Sequence, residues 1–303
     1  MEDISLIKNN KLISEKEWDH ILDRLHKPYD EKSLITDKEP AKQQIKSALI
    51  DSIKPLAKGD FGILLSGGLD SSLIALICKK HLKKRFACYS IGLEGSSDIE
   101  YSIKVSKLLN LDLKTKILTL TEIESYLKKC ISILNTRDVV KLEIAIVIYA
   151  ALDFANQQGC KNLFTGSGSE EIFAGYEKHL GFLKEGHKNI YEECWKGLRY
   201  SYSKDILRDY SLAKELNSNL LMPFLDPKMI SIAMNIHPSL KLDNNEKKAI
   251  LRELAFELGL SREIAYRKRT AAQYGSKVSS SVLKLTKKNG FKLKQDYINS
   301  IKL

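Results

Sequence analysis

A chain of 303 residues with 49 Lys and Arg against 38 Asp and Glu, net charge +11, is long enough for one large domain or two modest ones. The positive balance suits a nucleotide, a tRNA or an acidic small substrate. Much of it is lysine scattered over helical faces, which fits a solvated basic surface better than a nucleic-acid stripe. Five cysteines without a C-x-x-C pair support neither a zinc ribbon nor a disulfide framework and read as buried thiols of a cytoplasmic protein. The six histidines show no H-x-x-x-H spacing, so no histidine-bound metal is expected. The longest apolar stretch, 144–152, falls short of the roughly 20 residues of a membrane helix.

Residues 1–40 are polar and charged, with Trp18, Ile21, Leu22 and Leu25 at helical spacing, which predicts a short helical extension. A helix over 43–56 then precedes an apolar strand at 61–65. The strand runs into Ser66-Gly67-Gly68-Leu69-Asp70-Ser71-Ser72 and a helix reaching about residue 83. Gly67 and Gly68 allow a tight turn and close approach of a ligand, and the first N–H groups of the helix point outward with partial positive charge, where anions collect. Ser66, Ser71 and Ser72 add hydroxyl donors. Asp70, an acid beside a phosphate site, makes chemical sense with a divalent cation between the charges, so the turn predicts a magnesium–nucleotide site. No Gly-Lys-Ser/Thr follows the glycines, which excludes a Walker-type loop.

Strands at 86–91, 113–118 and 162–165 alternate with helices at 99–109, 120–134 and 143–156, and alternation of this kind implies a doubly wound parallel sheet over 41–180. Ligands of such sheets sit at the carboxyl ends of the strands, where the winding reverses. A second glycine turn, Gly166-Ser167-Gly168-Ser169, falls on that edge and leads into Glu170 and Glu171. First-turn acids are explained by the helix dipole alone. Paired with Asp70 across one site, however, Glu170 could chelate one or two magnesium ions against pyrophosphate. After about residue 180 strand signals fade, and helices at 190–200, 227–235 and 245–258 with a basic tail from Lys277 predict a helical region over 181–303 that completes the active site.

Ser-Gly-Gly-Leu-Asp-Ser resembles the pyrophosphate-binding loop of ATP pyrophosphatases. Four further segments narrow the resemblance to the synthetase domain of asparagine synthetase and its relatives, including β-lactam synthetase, over about 250 residues. They are Thr165 to Tyr176, Met222-Pro223-Phe224-Leu225-Asp226, Lys248-Ala249-Ile250-Leu251-Arg252-Glu253, and a tail from Arg267-Lys268-Arg269 to Gln273-Tyr274-Gly275-Ser276. The resemblance implies a ligase that cleaves ATP to AMP and pyrophosphate and activates a carboxylate as an acyl adenylate for amidation. Carried over by position, Leu65, Ile91 and Gly92 flank adenine, Ser66 to Ser72 with Gly166 and Gly168 hold the phosphates, Asp70 and Glu170 bind magnesium, and Arg269 with Lys268 stabilises the reacting phosphate. The chain begins Met1-Glu2, without the cysteine that opens the family's glutaminase domain, so ammonia or an amine is expected from a separate protein or from solution. Ser167 stands where the family carries a glutamate or tyrosine, and a serine hydroxyl is a poor general base. Two other readings stay open: a tRNA-modifying enzyme of the same superfamily, and a catalytically silent nucleotide-binding subunit.

Overall fold

The computed structural model describes residues 6–8, 11–243 and 246–302. A hairpin of β1 (Ile7–Lys8) and β2 (Lys11–Leu12) leads into α1 (Glu15–Leu25), whose start is fixed by a reciprocal capping box between Ser14 and Glu17. Trp18, Ile21 and Leu22 of α1 are buried, and the Trp18 indole N–H donates to the Leu198 carbonyl at 3.1 Å, so the extension packs on the C-terminal half of the chain.

From α2 (Lys38–Leu56) the expected alternation follows: β3 (Gly62–Leu64), α3 (Leu69–Leu76), β4 (Ala87–Gly92), α4 (Ser97–Leu109), β5 (Asp112–Ile117), α5 (Leu120–Leu134), α6 (Val139–Gln157) and β6 (Asn162–Phe164). Side-chain caps from Ser96, Thr119 and Asp138 set the starts of α4, α5 and α6. The helix after the first glycine turn is shorter than expected: α3 gives way to a π-helical turn at Ile77–His81.

Beyond residue 165 come α7 (Ser169–Ile172), α8 (Glu177–Phe182), α9 (His187–Ser201), α10 (Leu207–Glu215), β7 (Asn219–Leu221), α11 (Pro227–Met234), α12 (Pro238–Lys241), α13 (Ala249–Glu257), α14 (Arg262–Ala265), α15 (Ala272–Gly275), α16 (Val278–Lys288) and α17 (Lys294–Ser300). Asn245, where a helix was expected to open, lies outside the described residues; the described helix begins at Ala249. The expectation of helices alone after residue 180 fails at β7. Its three residues pair in parallel with β6 and complete a five-stranded parallel sheet of order β5-β4-β3-β6-β7. One apolar pair, Leu220 and Leu221, is too short a run to announce a strand; the pairing with β6 supplies what local preference does not.

Strands β3, β4 and β5 step outward in one direction and β6 with β7 lies on the other side of β3, so the winding reverses between β3 and β6. β3 is covered on both sides: Ile63 is fully buried, as are Leu73 and Ile74 of α3 and Ala145 and Ile146 of α6. The five cysteines are free and buried. Among the described residues no helix is long and apolar enough to cross a membrane.

Candidate active site

Gly62 of β3 sits opposite Leu163 of β6 and Ile63 opposite Phe164, so the loops after these strands leave the sheet side by side at the reversal of winding. Gly67 has φ +67°, and a Cβ there would strike the Tyr101 backbone of α4, so glycine alone fits. Gly168 caps α7 at φ +95° with Leu225 in the place a Cβ would need. Gly68, by contrast, holds an ordinary extended φ of −75° as the N-cap of α3.

Where the loops meet, four charged side chains converge. Lys248 Nζ donates to Asp70 at 2.9 and 2.8 Å and to Ser169 Oγ at 2.7 Å, and lies 3.0 Å from Glu170 Oε1. Arg269 Nε donates to the same Glu170 oxygen at 2.8 Å, and its guanidinium stacks 5.2 Å from the centre of the Tyr176 ring. Burial alone would raise the Glu170 carboxyl; Lys248 and Arg269 outweigh it and hold the group below the usual range. Burial likewise works against the Lys248 charge, and the two carboxylates overcome it and raise its pKa. Lys248 has φ +57°, a left-handed backbone that a lysine adopts at a cost.

The tail is tied to the first loop from a second direction. Arg267 donates to the Ser66 carbonyl at 2.7 Å and to Asp98 at 2.8 Å, with its guanidinium 4.2 Å from the Tyr101 ring centre. Arg252 of α13 braces that tail through the carbonyls of Ala265 and Arg267, at 2.8 and 3.0 Å.

Leu65, Ser66, Gly68, Asp70, Ser71, Ile91, Gly166, Gly168, Glu170 and Arg269 all line one cleft of about 340 Å³. Lys268 lines an adjoining recess of about 210 Å³ with Lys247, Lys248, Arg267 and Arg269, where positive charge gathers against the first loop. Three expected residues fall outside both cavities. Ser72 is fully buried with an unpartnered hydroxyl, Gly67 faces Tyr101, and Gly92 faces Ser96. The Pro-Phe-Leu-Asp segment serves the scaffold: Phe224 is fully buried, and Asp226 caps α11 by accepting from the Lys228 and Met229 N–H groups, while Leu225 reaches the cleft.

Lys248 and Arg267 belong to segments visible in the sequence, but their places beside Asp70 and Ser66 follow only from the tertiary packing. Glu171 is a third residue whose role the sequence leaves hidden. It is buried on the cleft wall, accepts a hydrogen bond from the Tyr176 hydroxyl at 2.5 Å, and burial, reinforced by the charges of Asp205 and Glu170 against that hydrogen bond, pushes its carboxyl up to about 7. The Ser167 hydroxyl is spent locally on Thr165 Oγ1, 2.6 Å away.

Glycine turns at the ends of adjacent parallel strands, facing paired acids and a basic recess, define a protein of the ATP pyrophosphatase, or PP-loop, class. The chain belongs to the asparagine synthase family, whose model matches residues 44–184 and 183–292. It is 31% identical over 292 residues to a putative glutamine-hydrolysing asparagine synthetase of Methanocaldococcus jannaschii, covering 85% of this chain and 53% of that protein. It is 30% identical over 262 residues to asparagine synthetase B of Escherichia coli K12, covering 80% and 47%. The chain thus spans about half the length of these curated relatives. Among solved structures it is similar to an NMN synthetase from Francisella tularensis at TM-score 0.43 and 13% identity, covering 87% of this chain and 93% of that one.

Proposed function

We propose that this protein is an ATP-cleaving ligase that joins a small carboxylate to ammonia or an amine through an acyl adenylate. The observation that carries the reading is the convergence of Asp70 and Glu170 from two strand-end loops with Lys248 and Arg269 against them. The curated relatives, glutamine-hydrolysing asparagine synthetases by name, support an amidation.

The residues fit a magnesium ion. Glu170 Oε2 is buried with no hydrogen-bond partner, and Asp70 lies on the other side of the same lysine. Asp70 and Glu170 would hold the ion, which when bound neutralises charge on the departing pyrophosphate. A carboxylate oxygen of the substrate attacks the α-phosphorus and pyrophosphate leaves. Ser66, Ser71 and the α3 N–H groups receive the phosphates, with Lys248, Arg267 and Lys268 supplying positive charge from the recess. Arg269 faces the charge that develops on the reacting phosphate. In the second step the nitrogen attacks the acyl carbon, AMP leaves, and the nitrogen gives up a proton. Glu171, poised near neutral pH and held by Tyr176, is the carboxylate in the cleft suited to accept it, a role Ser167 cannot fill.

The test is pyrophosphate release from magnesium–ATP across a panel of carboxylates including aspartate, with and without ammonium, and Asp70→Ala as the control. Release that depends on one carboxylate and on Asp70 supports the ligase; silence with ATP still bound refutes it.

A further inference from the structure

Far from the strand ends, three side chains from distant parts of the chain meet: Glu31 in a 3₁₀ turn after α1, His187 at the first position of α9, and His237 at the cap of α12. Glu31 Oε1 lies 3.4 Å from His237 Nε2 and 3.9 Å from His187 Nδ1, the two rings are 4.6 Å apart between centres, and all three donor atoms lie within 4.8 Å of one another. We propose that Glu31, His187 and His237 form a zinc site.

The donor set is two imidazoles and a carboxylate, the chemistry that borderline divalent metals select. Ligand atoms around a tetrahedral zinc stand roughly 3.3–3.5 Å apart, from bond lengths of about 2.0–2.1 Å. The Glu31–His237 separation already matches. His187, whose side chain is 39% exposed, stands farther off, its Nδ1 3.9 Å from Glu31 Oε1, and must move inward for all three to hold one ion.

His237 supplies the independent observation. The residue is 4% exposed, and its Nε2 is buried without a hydrogen-bond partner while facing Glu31. A buried ring nitrogen left unsatisfied is costly unless something binds it. On the other side of the ring, Nδ1 lies 2.7 Å from Ser239 Oγ and accepts from the Ser239 N–H at 3.3 Å. Binding at Nε2 requires the tautomer with its proton on Nδ1, donated to the Ser239 hydroxyl, so the contact from the Ser239 N–H is given up when the metal binds.

The backbone around the cluster is fixed before any metal arrives. His237 N donates to the Ile35 carbonyl and Ile35 N to the Asn235 carbonyl, both at 2.9 Å, which locks the segment after Glu31 to the segment before α12. Three protein ligands leave a fourth position for water, on the side where Glu31 is 65% exposed. The expectation of no histidine-bound metal rested on spacing within single helices, and these ligands come from three separate elements.

The full chain, stripped with a chelator and dialysed, is titrated with Zn²⁺ in excess Mg²⁺, so that Asp70 and Glu170 are occupied, and binding is read by calorimetry and melting temperature. One Zn²⁺ per chain is expected, raising the melting temperature by roughly 4 °C at a hundredfold excess over Kd. Co²⁺ in its place should give ligand-field absorption of low-symmetry coordination. Glu31→Gln and His187→Ala, both at partly exposed side chains outside the cleft, should each weaken Zn²⁺ at least about tenfold. Absence of Zn²⁺ binding with both variants and wild type equally stable, or Zn²⁺ held equally by wild type and variants, overturns the proposal.

Discussion

Replacing Glu171 by glutamine tests the cleft's electrostatics without an activity assay. In the unfolded chain this carboxyl titrates near its ordinary value of 4.5, whereas in the folded protein burial lifts it to about 7. Between those pH values the folded state holds a proton that the unfolded state has lost, so this residue lowers stability as pH rises through the window, and the loss is complete above about pH 7. At 1.36 kcal/mol per pH unit the penalty reaches about 3 kcal/mol. Glutamine has the same shape, keeps an acceptor for the Tyr176 hydroxyl and carries no charge. Glu171→Gln should therefore match wild type near pH 4.5 and exceed it by about 3 kcal/mol at pH 8. Urea unfolding at several pH values, followed by tryptophan fluorescence and circular dichroism together, measures the difference, and contributions of other titrating groups cancel between the two proteins. A stability difference that does not change with pH, or a variant weaker than wild type at pH 8, refutes the assignment of a raised carboxyl. If the carboxyl also accepts the proton in the transfer step, the same variant keeps carboxylate-dependent exchange of pyrophosphate into ATP and loses amide formation about 10²–10⁴-fold.

Lys248→Met removes the cation from between two carboxylates and should cost about 3–5 kcal/mol in urea unfolding, with millimolar Mg²⁺ restoring part of the loss. No loss, or no response to Mg²⁺, counts against a shared cation position. Arg269→Ala should lower pyrophosphate release about 10²–10³-fold with little change in ATP affinity, checked by single-turnover rates and equilibrium binding. Trp18→Ala, which empties a fully packed site and strands the Leu198 carbonyl, should destabilise by about 3–5 kcal/mol in the same unfolding assay.

β3 and β6 were legible as apolar runs that end in glycine turns, and the turn after β3 predicts a phosphate-binding edge from sequence alone. Asp70 and Glu170 were legible for the same reason: each opens a helix directly after such a turn. What escaped depends on distance along the chain. β7 has three residues and no local pattern, and exists because β6 offers it an open edge. Lys248 reads as a surface lysine of an amphipathic helix until α13 is docked against the loops. Ser72 reads as a phosphate donor until the α3 helix turns it into the core, one helical position past the face that Ser71 presents. Glu171 reads as a dipole-compensating acid, and only the enclosure that raises its pKa gives it other work.

Arg267 reaches back across the sequence to the Ser66 carbonyl, and Lys248 does the same to Asp70. During synthesis the two glycine loops are therefore made first and finished last. At about 5–20 residues per second, roughly 4–16 s separate the appearance of Glu170 from that of Lys248. Until Lys248 is made, the chain lacks the cation that pairs with both acids in the folded protein, just as β6 lacks its outer partner until β7 is made, so the site cannot be completed before most of the chain has been synthesised.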